Sequence, residues 1–270
     1  MRANPDKAGR LTLRLVALGY LALLLLIPIV MIFVRTFDDG IGKAFDAITT
    51  PEAIHAFYLT FLMVIISVPL NTVFGILAAL VLVRQRFKGK AILNAFIDIP
   101  FAISPVVIGL SLILVYGRTG WFGQWFIDHG VQIIFSVTGM VLATIFVSLP
   151  FVVREVVPVL QEIGDEQEQA ASTLGASWWQ TFWRVTLPAI RWGVAYGVVL
   201  STARALGEFG AVSVVSGKIS GSTETLPLYV EAEFQQFDIA GAYAASVVLA
   251  ILAVATLLVM NRLRPKEESA

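Results

Sequence analysis

Six stretches of this chain run for 20 residues or more with almost no charge, and that pattern limits its fold more than any other feature. Residues 15–34 carry no charged side chain over 20 positions, 56–83 none over 28, 130–153 none over 24 and 239–261 none over 23. Residues 91–117 hold one charge, Asp98, and residues 192–217 hold two, Arg204 and Glu208. A helix needs about 20 apolar residues to cross a hydrocarbon core of roughly 30 Å. The runs therefore predict an all-α membrane protein with six transmembrane helices, at about 15–34, 57–83, 91–116, 132–153, 190–216 and 239–261. A membrane β-barrel would alternate apolar and polar residues over about 10 positions, whereas these segments are apolar on every side. Burial inside a soluble globule is excluded by composition, because 57% of the residues are apolar and only 14% are charged, against about 25% charged in soluble domains.

The basic residues orient the helices, since Lys and Arg accumulate on cytoplasmic loops. Fourteen fall on one side: Arg2, Lys7, Arg10 and Arg14; Arg84, Arg86, Lys88 and Lys90; Arg154, Arg184 and Arg191; and Arg262, Arg264 and Lys266. Only Arg35, Lys43, Arg118 and Lys218 fall on the other. Both termini are thus expected in the cytoplasm, as tails 1–14 and 263–270 around a six-helix transmembrane domain 15–262. The first run is too long for a signal-peptide core and no small-x-small site follows it, so it reads as an uncleaved helix. The net charge is zero, which argues against nucleic acid. With no Cys and two His, His55 and His129, on different outer loops, no metal site is expected. Those outer loops hold nine acids against four bases, a surface that repels a free anion. Pro28, Pro69, Pro100, Pro105 and Pro150 lie inside the predicted spans, where each frees a backbone carbonyl.

The longest cytoplasmic stretch, within 154–191, has its own local code. Asp165 followed by Glu168 fits a capping box and opens a short helix to Leu174. Gly175 supplies the left-handed residue that ends a helix. Ser177 with Gln180 makes a second capping box, starting a helix from Trp178 to about Val185 that Leu187-Pro188 stops, with Pro188 in the first turn of the fifth span. The second helix carries Trp178, Trp179, Phe182 and Trp183. Such an aromatic face suits a groove on a partner protein or the lipid headgroup layer, and the residues alone do not choose between them.

A resemblance chooses. Gln169-Ala170-Ala171, three residues, Gly175, nine residues, then Val185-Thr186-Leu187-Pro188 resembles the EAA loop of ABC importer permeases, here spanning 154–188 with Ala176 and Ser177 inside it. Gln169 stands where that family has Glu, with Glu168 one residue early, and Val185 replaces Ile. The run Asp98-Ile99-Pro100-Phe101-Ala102-Ile103-Ser104-Pro105-Val106-Val107, the segment from Pro150 to Glu155, and the stretch from Ala203 through Arg204, Gly207, Glu208 and Gly210 to Gly217 are similar to the CysW-type sulfate/thiosulfate permeases. The likeness covers nearly the whole chain. It implies a type I ABC importer fold in a bacterial plasma membrane, a CysA-type ATPase dimer docked on the EAA loop, a CysT-type second permease, an extracytoplasmic sulfate-binding protein and surrounding lipid. The chain has no G-x-x-x-x-G-K-[ST] loop, so ATP and Mg belong to the ATPase and this subunit is no enzyme.

Charges inside a membrane mark functional positions. Arg204 and Glu208 sit at i, i+4 on one face. They form either an ion pair that locks or gates the fifth span, or a pathway element in which Arg204 meets the oxyanion. The locking or gating role is preferred because Glu208 cancels much of the field of Arg204. Asp98 is expected to cap the break before Pro100, and Ser104-Pro105 to line the pathway. A molybdate or tungstate permease is the alternative within the class. An ion-gradient transporter would show inverted repeats and unpaired coupling carboxylates, and a membrane metalloenzyme would need a cluster such as H-E-x-x-H, which the sequence lacks.

Overall fold

The computed structural model describes residues 7–38 and 40–263, and the described residues are helical with no strand. The topology charges Arg2, Arg264 and Lys266 lie outside them. The chain opens with α1 (Lys7–Leu21), a π-helical turn (Ala22–Leu26) and α2 (Ile27–Phe37). It continues with α3 (Ile41–Ile48), α4 (Pro51–Arg84), α5 (Lys90–Ala102), α6 (Pro105–Tyr116), α7 (Gly123–Asp128) and α8 (Val137–Glu162). Then come α9 (Glu166–Thr173), α10 (Trp178–Thr181), a second π-helical turn (Phe182–Thr186), α11 (Leu187–Leu206), α12 (Gly210–Val215), α13 (Leu226–Gln235) and α14 (Ile239–Leu263).

α8 is the central helix, packed against α4 on one side and α11 on the other. Glycines set the spacing. A Cβ on Gly75 of α4 would lie 2.6 Å from the Val152 Cβ, and one on Gly197 of α11 would lie 2.7 Å from the Val152 Cα. Without a hydrophobic drive between helices in lipid, such small-residue contacts let backbones approach and gain dispersion energy. Leu59, Met63, Met140, Val147 and Val212 fill the core near the start of α8, and Ala79, Val156, Leu160 and Ile190 fill it near the end. Between them Asn71, fully buried, donates to the Ile145 carbonyl at 3.1 Å and to Ser148 Oγ at 2.8 Å.

Among the described residues four helical stretches are long and apolar enough to cross a bilayer: Gly9–Phe37, Pro51–Arg84, Val137–Glu162 and Ile239–Arg262. The first packs through α2 against α14 and α3, with none of its apolar window buried within the chain. The third expected crossing is not a rod. α5 and α6 meet at 114°, because Ile103 and Ser104 are extended, the conformation favoured at Ser104 by the proline that follows it. The fifth is broken too: α11 ends at Gly207 and α12 restarts at Gly210. The fourth is displaced along the sequence. Phe135 takes a left-handed φ of 60° and Ser136 is extended, so helix starts only at Val137 and continues through Arg154 to Glu162. The irregular segment expected to start at residue 154 thus begins near Gly164 (φ 65°).

Candidate functional site

The segment after α8 presents a shaped surface. α9 ends with Gly175 at φ 82°. The N–H of Gly175 bonds the Ser172 carbonyl and that of Ala176 bonds the Ala171 carbonyl, each at 3.0 Å, which closes the helix end. The second capping box is formed: Ser177 N–H donates to Gln180 Oε1 at 2.8 Å and Gln180 N–H to Ser177 Oγ at 3.4 Å. The first is not. Asp165 makes no side-chain cap, and Glu168 turns away to accept from Arg84 Nε at 2.8 Å and Thr186 Oγ1 at 2.8 Å. Gln169 and Ala170 stay exposed on α9, Ala171 and Ala176 are half-buried, and so is Leu187 beside an exposed Pro188.

Trp178, Trp179 and Trp183 are each 59–62% exposed. Trp178 stacks on Phe182 at 5.8 Å and meets Trp179 edge-on at 4.8 Å, and Phe182 meets Trp183 at 5.3 Å. This aromatic cluster borders a groove of about 690 Å³ shared by Leu80, Gln85, Gln169, Trp178 and Phe182. Pro188 does not stop the helix beneath it. Its ring would clash with the carbonyl four residues back, and the preceding turn widens to π geometry over Phe182–Thr186 and runs on into α11. The same solution appears where Pro28 follows the π turn Ala22–Leu26.

The two broken helices meet. A Cβ on Gly210 would lie 2.9 Å from Pro105 Cβ, and one on Gly109 2.8 Å from the Ala211 carbonyl. Arg204, Glu208, Ser104 and Pro105 thus belong to one region. Arg204 Nη1 lies 2.5 Å from Glu208 Oε2, and the other Glu208 oxygen accepts the Ala211 N–H at 2.9 Å. Glu208 is 1% exposed at its side chain and Arg204 27%. The pair therefore spans the break, tying the last turn of α11 to the first of α12. Unwound backbone at membrane depth is tolerated where protein or a water-filled cavity surrounds it.

Asp98 lies elsewhere and caps nothing among the described hydrogen bonds. Its Oδ1 accepts from Arg154 Nε at 2.8 Å, its Oδ2 pairs with Arg154 Nη2, and Nη2 also reaches Asn94 Oδ1 at 3.1 Å. This clamp holds α5 against α8. Sequence reasoning gave Arg84 no partner, placed Arg154 and Thr186 in motifs without assigning them contacts, and missed Asn94. The signal for the clamp was Asn94 and Asp98 at i, i+4 in an otherwise apolar run.

On the opposite face, Lys218 Nζ bonds Glu231 at 2.6 Å and His55 Nε2 meets the Ser222 carbonyl at 3.1 Å. Burial pushes the Glu224 carboxyl above its ordinary pKa, with the Ser220 hydroxyl opposing and Glu231 and Glu52 adding repulsion. Among the described residues no group of three His, Asp or Glu could hold a metal ion.

Residues 71–268 match the family described as "Binding-protein-dependent transport system inner membrane component". The sulfate transport system permease protein CysW of Synechocystis sp. is 55% identical over 93% of this chain and 91% of its own length. CysW of Escherichia coli K12 is 48% identical over 94% and 88%. The sulfate transport system permease protein CysT of Synechococcus elongatus is 42% identical over 91% and 88%. In three dimensions the chain resembles a bacterial ABC transporter involved in alginate import, with a TM-score of 0.78, 18% identity and 95% of both chains covered, a likeness of fold alone. The chain belongs to the family of binding-protein-dependent transport system inner membrane components, with the CysW-type permeases among its relatives.

Proposed function

We propose that this chain is a permease subunit of an ATP-driven importer that carries sulfate or thiosulfate into the cytoplasm. It crosses the membrane six times with both termini inside, α5–α6 and α11–α12 each serving as one broken crossing. An ATPase dimer, which alone handles ATP and Mg, docks on Trp178, Trp179 and Trp183. A CysT-type permease completes the pathway, and an extracytoplasmic binding protein delivers the anion past the acidic outer loops. Closure of the ATPase pair moves α9 and α10, and the membrane helices reorient between outward and inward access.

The exposed aromatic segment after the left-handed Gly175 is the observation that carries this reading, because a surface so apolar outside the spans calls for a cover. The test is copurification from native membranes followed by uptake of labelled sulfate into proteoliposomes. The expected result is a complex holding an ATPase and a second permease, with ATP-dependent uptake competed by thiosulfate. Competition by molybdate at lower concentration than by thiosulfate would replace the substrate. A Gly175→Val variant that inserts and still transports would overturn the docking mode.

A further inference from the structure

Arg84 is the last residue of α4, and its guanidinium gathers four acceptors. Nε donates to Glu168 Oε2 at 2.8 Å and Nη2 to Glu168 Oε1 at 3.4 Å. Nη1 reaches the Leu160 carbonyl at 3.1 Å and Nη2 the Gly164 carbonyl at 2.6 Å. Carbonyls at a helix end lack intrahelical partners, and Leu160 and Gly164 flank the end of α8. Glu168 in turn accepts from Thr186 in the π turn that feeds α11. One side chain therefore joins the ends of α4 and α8, the helix α9 and, through Glu168, the root of α11. The pair is only 19% and 21% exposed, where charge-assisted bonds are stronger than on an open surface.

α9 fully buries none of its residues, and Glu168 with its bonds to Arg84 and Thr186 is its charge-assisted attachment to the longer helices. Among the described residues no hydrogen bond or cation–π contact joins Arg84 to Trp178, Trp179 or Trp183. Arg84, Glu168 and Thr186 line the same groove as Trp178 and Phe182, while the exposed Trp179 and Trp183 lie outside its lining. Glu168, one position before the expected Glu of the motif, faces inward, and the exposed position carries the neutral Gln169.

We propose that Arg84 is a positioning residue that transmits displacement of the coupling segment to α4 and α8, with Glu168 as its counterpart. The proposal rests on the importer reading above. Without Arg84 the aromatic face still docks, but α9 moves without carrying the membrane helices, so ATP is hydrolysed and less anion is moved.

The experiment uses the whole complex in proteoliposomes and measures ATP hydrolysis and labelled sulfate uptake together. For Arg84→Ala the ATPase should copurify as before while ATP consumed per sulfate rises, on the order of tenfold for the loss of charge-assisted bonds of this kind. Arg84→Lys and Thr186→Val, which each keep part of the network, should give smaller increases. The chain has no native Cys, so Gln85→Cys with Asp165→Cys, both at the groove, can be bridged by a short bis-methanethiosulfonate. In the Arg84→Ala background that bridge should bring the ratio back toward the parent value, and reduction should reverse it. A ratio unchanged in Arg84→Ala, or hydrolysis and uptake falling in proportion, would overturn the proposal while leaving the importer reading intact. If Arg84→Ala does not assemble, an unchanged ratio in both milder variants overturns it. A parent complex that neither hydrolyses ATP nor takes up sulfate would refute the importer reading itself.

Discussion

The pair across the fifth-span break allows a quantitative test through Arg204→Ala, Glu208→Ala and the double variant. Glu208 is 1% exposed and has two partners, Arg204 Nη1 at 2.5 Å and the Ala211 N–H at 2.9 Å. Removing Arg204 strands a buried carboxylate on one N–H, and breaking a buried pair from one side costs about 3–5 kcal/mol. Removing both residues takes the charge away and strands only the Ala211 N–H, at about 1–3 kcal/mol. The double variant should therefore be more stable than Arg204→Ala by about 2 kcal/mol, or more than tenfold in the folded-to-unfolded ratio. Glu208→Ala should fall between them, since Arg204 at 27% exposure can recover water. The assay is SDS titration in mixed micelles, followed by fluorescence of the six Trp residues, with sulfate uptake measured in parallel. A double variant no more stable than Arg204→Ala would refute the locking role and return Arg204 to direct contact with the anion.

Other substitutions probe separate features. Gly75→Leu or Gly197→Leu should each destabilise the protein by at least about 1–3 kcal/mol by forcing α4 or α11 off Val152, whereas Gly42→Ala, which meets open space in helix α3, should leave the SDS midpoint unlowered or slightly raised. Pro188→Ala permits a regular helical turn where the π turn now stands. Losing one residue from that turn rotates the aromatic face by about 100° against α11, so ATPase copurification and uptake should both fall while Pro28→Ala leaves them intact. The raised carboxyl of Glu224 means the native state holds its proton to higher pH than the unfolded chain. Its favourable contribution is complete below the ordinary value of 4.5 and is lost as pH rises through the native value. Glu224→Gln should accordingly raise thermal stability at pH 8 and show no gain near pH 4, by melting scans in detergent.

The long uncharged runs, the left-handed turn at Gly175 and the Ser177–Gln180 capping box were all legible because each rests on neighbouring residues or on simple length. The breaks were not. Twenty-seven nearly uncharged residues from 91 to 117 look alike whether straight or folded at Ser104, and only the extended bias before Pro105 distinguished them. The missing cap at Asp165 has a different cause. Glu168 had two competing uses, a local bond to a backbone N–H and a charge-assisted fork from Arg84 across 84 positions, and the stronger long-range bond prevailed. The same separation hid Arg154 from Asp98. Pro188 was legible as a disturbance, but a widened turn and a terminated helix begin from the same residue types.

The contact of Gly75, Val152 and Gly197 bears on how the molecule can change shape. With Val152 so close to both backbones that a Cβ on Gly75 or Gly197 would come within 2.6–2.7 Å of it, one helix has no clearance to slide along another, because a shift of one residue (about 1.5 Å) would drive a larger side chain into the slot. α4, α8 and α11 therefore behave as one rigid block. The degrees of freedom that remain are at its margins: the 114° elbow between α5 and α6 and the gap after Gly207. Inward and outward forms should differ by rotation about those joints, with the distances inside the block preserved.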